Sequence, residues 1–519
     1  MRETGIKVFP LSGVRLFSSE PAALTEVNPL TFSLPEENLI AGIQRGAIET
    51  GQPGTSGDGD PAGVKTALFI AILAGFMTPF DLSAVTIALP AIGTRFSMDA
   101  VSLSWVSTAY LLASAMFLVP FGRIADIYGR KKIFTTGLAI FTAASLALVF
   151  SPSSAWVILL RFVQGTGSAL IFGTAVAILT SVTPPAERGK AIGIYTTSVY
   201  IGLSLGPFIG GLLTGYFGWQ SIFLVNVPIG IFAIGLISSK LHGEWAESRG
   251  ERFDYPGAVM YAMMIVAVMY GFSSLPAPFA YLIILSGILV LTAFVIWELR
   301  SRSPLLNIRI FLKNRVFAFS NLAAFINYSA TFAVTFFLSL YLQYIKGFSP
   351  PYAGLILISQ PVVMALVSSS AGRLADRYDP GRLASFGMAL SAVSLLLLGL
   401  ITEATSLAYL VTSLVILGLG LAFFSSPNTT AIMNSVEKRS YGIASGMVGT
   451  MRLTGQMFSM GVAVIILAVF IGKEVITPAL FSEFLTGMKL AFLIFAILCI
   501  AGIFFSLVRG TMVRDGRVP

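Results

Sequence analysis

The sequence holds one cysteine, Cys499, and one histidine, His242, among 519 residues. A lone cysteine excludes an intrachain disulfide and a thiolate metal cluster. A lone histidine in a polar loop excludes a histidine-built zinc site and a histidine proton relay at membrane depth. Charge is scarce as well: 11% of residues are Asp, Glu, Lys or Arg, against about 25% in a soluble domain. With 55% apolar residues and a mean hydropathy of +0.85, too little polar material remains to cover a water-facing surface. The bilayer must be the solvent. No Gly-x-x-x-x-Gly-Lys-Ser/Thr phosphate loop occurs, so ATP is not the expected energy source. No paired carboxylates, metal set or nucleophile–base pair can be read, which argues against an enzyme. No catalytic residue, metal or cofactor is therefore assigned.

What the chain does have is apolar length. From Thr66 onward, runs of about 20 apolar residues alternate with short loops, the length a helix needs to cross a hydrocarbon core of about 30 Å. Fourteen such segments can be drawn: 67–93, 102–121, 133–151, 155–181, 191–217, 219–238, 256–275, 278–297, 317–345, 350–371, 383–402, 405–427, 441–470 and 487–508. Residues 1–65 differ, with eight acidic residues, scattered prolines, the run Pro53-Gly54-Thr55-Ser56-Gly57-Asp58-Gly59-Asp60-Pro61 and no signal-peptide core. They read as a disordered tail or as residues upstream of the true start, with a regulatory arm as the alternative.

The loops orient the chain. Loops after segments 2, 4, 6, 8, 10 and 12 and the C-terminal tail carry 22 lysines and arginines, whereas the opposite side carries Arg95, Lys346, Lys473 and Lys489. Such a bias puts the basic side and both termini in the cytoplasm. The net charge of +9 is then topology rather than a nucleic-acid footprint.

Two loops nearly repeat, about 250 residues apart: Gly122-Arg123-Ile124-Ala125-Asp126 and Gly372-Arg373-Leu374-Ala375-Asp376. They follow segments 2 and 10, so equivalent positions lie eight helices apart. Six plus six helices with two inserted between accounts for that spacing, and internal duplication of this kind points to a transporter. The expected fold is all-α and integral to the membrane, with 14 transmembrane helices. It divides into a polar tail (1–65), a first six-helix half (66–240), two extra helices with linkers (241–315), a second half (316–508) and a C-terminal tail (509–519).

At these residues the chain resembles the major facilitator superfamily, specifically its 14-helix drug:proton antiporter branch. The hinge after segment 2 matches Gly-x-x-x-Asp-x-x-Gly-Arg-Lys at Gly122, Asp126, Gly129, Arg130 and Lys131. The resemblance implies that it latches one conformation, while Asp126 by its chemistry can accept hydrogen bonds or cap a helix N-terminus. The copy at Gly372 and Asp376 is degenerate, because Asp379-Pro380 intrudes before Gly381. Segment 5 carries Gly193, Gly202, Gly206, Pro207, Gly210 and Gly211 in the spacing of the antiporter motif. Gly202, Gly206 and Gly210 share one helix face and invite close approach of a partner, and Pro207 allows a kink. Trp219-x-x-Ile222-Phe223-x-x-Asn226-x-Pro228 resembles the opening of helix 6 in that branch.

Three charged residues sit well inside segments: Asp81, Arg161 and Arg452. Each costs about 2.5–3.5 kcal/mol on insertion scales, so each is expected to face the bundle interior and serve function. Asp81 lies in a segment-1 sequence similar to Leu-Asp-x-Thr-x-Val-x-x-Ala-Leu-Pro, and Arg161 in one similar to Arg-x-x-Gln-Gly. Desolvation against a nearby cation can poise Asp81 to take and release a proton, with Arg161 as its counter-charge. The alternative is a permanently paired structural aspartate. Gln164, Asn327, Gln343, Gln360 and Arg452 are the candidate cargo cavity, with Tyr328, Phe325, Phe332, Phe336 and Phe337 beside them. The implied function is proton-coupled export of lipophilic or amphiphilic small molecules (multidrug efflux), from a monomer in the plasma membrane, with the proton as coupling ion. A permease or exporter for one sugar, organic acid, siderophore or lipid remains open, as does a non-transporting sensor.

Overall fold

A computed structural model describes residues 61–184, 187–301, 303–306, 308–437 and 441–509. Of the expected tails, 1–65 and 509–519, residues 1–60 and 510–519 lie outside the described residues, as does the Asp376 side chain. Fourteen helices among the described residues are long and apolar enough to cross a membrane. Labelled α1 to α14, they are Gly63–Phe96, Ala100–Tyr128, Arg130–Val149, Ser154–Val182, Arg188–Phe217, Gln220–Lys240, Tyr255–Ser274, Pro278–Arg300, Arg315–Ile345, Pro350–Ala375, Pro380–Leu398, Leu407–Asn434, Ala444–Phe470 and Pro478–Val508. These match the fourteen apolar runs one for one. The first helix starts at Pro61, so residues 61–65 are helical rather than part of a tail.

Helix starts follow ordinary capping chemistry. Asp99 begins α2, Ser153 begins α4, Asp254 begins α7 and Ser406 begins α12, each side chain accepting a backbone N–H of the first turn. The tight α2–α3 turn depends on Gly129, whose φ of +122° few L side chains adopt.

α5 packs along α1 through its glycines. A Cβ on Gly206 would lie 2.6 Å from Ser83 Cβ, and one on Gly210 would lie 2.7 Å from Ala84 Cα. The close approach expected of the Gly202–Gly206–Gly210 face is thus made against α1. Gly193, at the start of the motif, has open space around it. Gly211 turns the other way, toward the start of α10 at Pro350, so one glycine cluster serves two contacts.

At the end of the bundle remote from the hinges, the two halves close on each other. Ser339 Oγ of α9 donates to the Thr86 carbonyl of α1 (2.8 Å), and Gln343 Nε2 donates to the Ile87 carbonyl (3.0 Å). Ala100 N–H donates to the Glu474 carbonyl (2.9 Å). Toward the hinge end, a Tyr200–Ser425 hydroxyl pair at 2.5 Å bridges α5 and α12. Still nearer that end, Gly189 of α5 and Gly446 and Gly449 of α13 have nothing within reach of an added Cβ.

The inserted pair, α7 and α8, lies against both halves. Tyr261 of α7 donates to the Ala115 carbonyl of α2 (3.1 Å), and Phe272 packs edge-on to Phe458 of α13 at 5.7 Å. α8 is apolar nearly all round and exposes Leu282, Leu285, Leu289 and Ile296, as a lipid-facing helix should.

Candidate functional site

Asp81, Arg161, Gln164 and Asn226 meet in one sealed cluster inside the first half, each fully buried. Arg161 Nη1 donates to Asp81 Oδ2 at 2.5 Å. Gln164 Nε2 and Asn226 Nδ2 donate to Asp81 Oδ1 at 3.1 and 2.9 Å. Arg161 also donates through Nε to the Val106 carbonyl (3.0 Å) and through Nη1 to Gln164 Oε1 (2.5 Å). Its guanidinium lies 4.4 Å from the centre of the Tyr110 ring, a favourable seat for a desolvated cation. Ser145 Oγ accepts from Gln164 (2.8 Å) and so fixes the amide. A buried pair is tolerable only when its remaining valences are met. Here most are, although Arg161 Nη2 and Asn226 Oδ1 have no partner among the described residues.

The sequence pointed to Asp81, Arg161 and Gln164, but it placed Gln164 in the cargo cavity. The fold turns Gln164, one helical turn beyond Arg161, onto Asp81 instead. Asn226 was missed as a site residue. Its signal was available: an amide amid the apolar run Ile222–Gly230 is costly in lipid unless it meets a partner.

A cavity of about 100 Å³ lies between the halves, lined by Ser83, Thr86, Tyr200, Tyr328, Gln360 and Arg452 among others. Its apolar wall includes Phe332, Phe336, Met364 and Met460. Asp81 does not line it: Ser83 and Thr86 occupy the cavity face of α1, while Asp81 points into the first half. Of the five candidates, Gln360 and Arg452 reach the cavity. Asn327 is wholly buried, because Tyr328 takes the cavity-facing position and the preceding residue lies about 100° away around the helix. Gln343 serves the remote seal. Phe337 is spent on α14, 6.0 Å from the Phe492 ring.

The first hinge is strapped by the linker that follows α6. Arg130 pairs with Asp126 (2.7 Å) and with Glu247 (2.6 Å), and donates to Ser181 Oγ (2.6 Å). Glu244 accepts the backbone N–H groups of Lys131 and Lys132 at 2.8 and 3.2 Å, covering the α3 N-terminus. Lys131 Nζ donates to the Leu241 carbonyl (2.5 Å), and Arg123 reaches Glu251 (2.5 Å). The Arg130 hydrogen bond holds the Glu247 carboxyl below the usual carboxylate range, against the burial that raises it. Asp126 thus accepts hydrogen bonds as expected, while the helix-capping role falls to Glu244. The acidic spacing Glu244, Glu247, Glu251, set opposite a basic loop, was the sequence signal for this strap.

The second hinge is built otherwise. Gly372 comes close to α12, where an added Cβ would lie 2.8 Å from Ser426 Oγ. Asp379 caps α11, accepting from Gly381 and Arg382 N–H at 2.6 and 3.0 Å. Arg509, expected to open a solvated tail, is buried and donates to Ser320 Oγ (3.0 Å) and Asn428 Oδ1 (2.9 Å). Burial pushes its guanidinium down to about 10, opposed by the charge of Asp379.

A family profile described as the Major Facilitator Superfamily matches residues 71–460 and 320–517. The chain is 32% identical to the riboflavin transporter RibZ of Clostridioides difficile (strain 630) over 399 residues, 76% of this chain and 86% of that protein. It is 32% identical to the cephamycin export protein CmcT of Amycolatopsis lactamdurans over 433 residues, 80% and 87% of the two chains. In fold it is similar to a bacterial homologue of the human lysosomal transporter Spinster, solved inward-facing and unoccupied. That likeness has a TM-score of 0.60 at 18% identity and covers 87% of this chain and 98% of that one.

Proposed function

The chain belongs to the major facilitator superfamily and is a multi-pass membrane transporter; within that family we propose that it exports amphiphilic small molecules in exchange for protons, by alternating access. The observation that carries this reading is the sealed Asp81–Arg161–Gln164–Asn226 cluster beside a midplane cavity that is closed at one end. Transporters of this architecture bind cargo at the midplane, between halves that rock about it.

Asp81 accepts three side-chain donors here, the geometry of a carboxylate paired with its counter-charge. That is the condition expected after a proton has left toward the hinge side. Reprotonation cancels the attraction to Arg161, which keeps the Val106 carbonyl and the Gln164 oxygen as partners. The contact between α1 and α4 then loosens. In the exchange proposed, that proton enters from the remote side after cargo has left, and because α1 is locked to α5 through Gly206 and Gly210, the loosened pair carries the Pro207 helix back to the hinge-open arrangement. Cargo needs more room than about 100 Å³, since pockets for drug-sized ligands run to about 300–1,000 Å³. Opening the Tyr200–Ser425 bridge is the step that supplies it.

The 22 basic residues on the hinge side support a cytoplasmic hinge end, cytoplasmic termini and a plasma-membrane location. Cargo cavity and cluster are both built by one chain, which supports a monomeric unit. A second reading, transport of one metabolite, is favoured by the likeness to a riboflavin transporter.

Proteoliposomes with an imposed pH gradient test the proposal against dyes, antibiotics and metabolites, riboflavin included. Accumulation of amphiphiles against their gradient is expected, abolished by a protonophore. Uptake indifferent to the protonophore removes the antiport. Because Cys499 is buried, single cysteines at Lys132 and Gly347 report sidedness in intact cells. Labelling from outside is expected at Gly347 and not at Lys132.

A further inference from the structure

Among the described residues that line the central cavity, Arg452 is the one with a formal charge, and no carboxylate accompanies it. Its guanidinium makes no hydrogen bond and no ion pair among the described residues. The Phe172 ring lies 5.2 Å from its guanidinium carbon. Five N–H donors in a planar fork therefore face the cavity unused. Asp81, the carboxylate that might have balanced the charge, is sealed in the first half and already paired with Arg161. The neighbouring polar groups are neutral: the Gln456 amide one turn along the same helix, the Gln360 amide of α10 and the Tyr200 and Tyr328 hydroxyls. Tyr195, whose buried hydroxyl has no partner among the described residues, lies within electrostatic reach of the same guanidinium.

An unpaired cation in a cavity walled largely by apolar side chains leaves a charge for the cargo to neutralise. We propose that the cargo is an amphiphilic organic anion, whose carboxylate, enolate or sulfonate is held by the Arg452 fork while its apolar body lies against Phe332, Phe336, Met364 and Met460. This rests on the reading of the chain as an exporter and names the class of molecule exported. The fork matches a carboxylate with two parallel N–H···O bonds. The methionines and phenylalanines supply an adaptable wall for the rest. A cationic amphiphile would meet a like charge, with no carboxylate lining the cavity to offset it.

Two xanthene dyes with the same ring system separate the possibilities: anionic fluorescein and cationic rhodamine 6G. Binding is measured at equilibrium on the full-length protein in nanodiscs, with empty nanodiscs as background, and transport in proteoliposomes under a pH gradient. Fluorescein is expected to bind the wild type, about tenfold more weakly after Arg452→Gln, and within about threefold of wild type after Arg452→Lys, which keeps the charge but not the fork. Rhodamine 6G is expected to bind Arg452→Gln at least as well as wild type. Recovery of binding in Arg452→Lys shows that the loss in Arg452→Gln comes from charge rather than misfolding. Equal fluorescein binding to wild type and Arg452→Gln, no fluorescein binding to the wild type, or tighter binding of rhodamine 6G than of fluorescein overturns the proposal. Arg452-dependent fluorescein binding without pH-driven movement leaves the proposal standing and sinks the exporter reading. pH-driven transport of rhodamine 6G that ignores Arg452 does the reverse.

Discussion

In the first half, Asp81 and Arg161 neutralise each other out of reach of the cavity, and the hinge cation Arg130 is clasped by Asp126 and Glu247. In the second half, Arg452 stands in the cavity with no acid beside it, and the hinge aspartate Asp379 caps a helix. Both halves carry a basic loop after their second helix, yet their acids are distributed differently. The first half holds the group that can change charge, and the second half holds a charge that stays fixed. In the antiport we propose, separating the two lets proton and cargo meet different partners without competing for one site.

The contrast breaks most sharply at Asp81. Asp81→Asn keeps the volume but cannot release a proton, so uphill transport is expected to fall by about 10²-fold or more, while cargo binding at Arg452 persists. Normal pumping by this variant would falsify the assignment of coupling to the first half and direct attention to Glu298 and Glu403. Arg161→Lys keeps the charge and loses the fork, so a milder defect with a displaced pH profile is expected.

The glycines offer a second way to sharpen it. Gly206→Ala drives a Cβ into Ser83 and is expected to cost about 1–3 kcal/mol, lowering the melting temperature in detergent. Gly449 of α13 has open space around it, so Gly449→Ala is expected to be neutral or to stabilise by up to about 1 kcal/mol. Equal effects at the two positions would mean that α5 is not the tightly held helix.

The hinges come next. Asp379→Ala removes the α11 cap and is expected to cost about 1 kcal/mol of stability, whereas Asp379→Asn or Asp379→Ser retains most of it. A full loss in Asp379→Ser would show that Asp379 acts on Arg509 by charge rather than as a cap. A small effect is expected from Glu247→Gln, because the Glu247 carboxylate is itself largely exposed and such pairs contribute little. The sign of its pH dependence is fixed: Glu247 is held below its unfolded value, so the strap's contribution is present above the ordinary glutamate range. It fades as pH falls through the depressed value. Hydrogen exchange of the linker, followed downward from neutral pH in wild type and Glu247→Gln, measures it. A strap that loosens on raising pH instead contradicts the pairing.

Much of this was legible in the sequence because the bilayer imposes one rule on every spanning residue. Backbone groups must be bonded within the helix and ionised side chains must be rare, so fourteen apolar runs became fourteen helices and three embedded charges became three interior residues. The α5 glycine face was legible for the same reason, since small residues four apart leave one side of a helix bare. Local periodicity could not say which way a polar side chain turns when both sides of its helix are buried. Gln164 joins Asp81 rather than cargo, Asn327 loses the cavity to Tyr328, and Gln343 closes the remote end. The outcomes at Gln164 and Gln343 depend on residues 80 or more positions away being brought within hydrogen-bond reach, whereas Asn327 is displaced by its own neighbour. Arg509 was expected to open a tail, yet it is buried, as is Glu298 at the end of α8, where the Leu306 N–H folds back onto its carboxylate. The sequence by itself determined a two-fold, membrane-spanning bundle with few charges. Tertiary packing decided which of those charges are spent on each other and left Arg452 unpaired, because desolvation makes pairing depend on distances that only the folded chain defines.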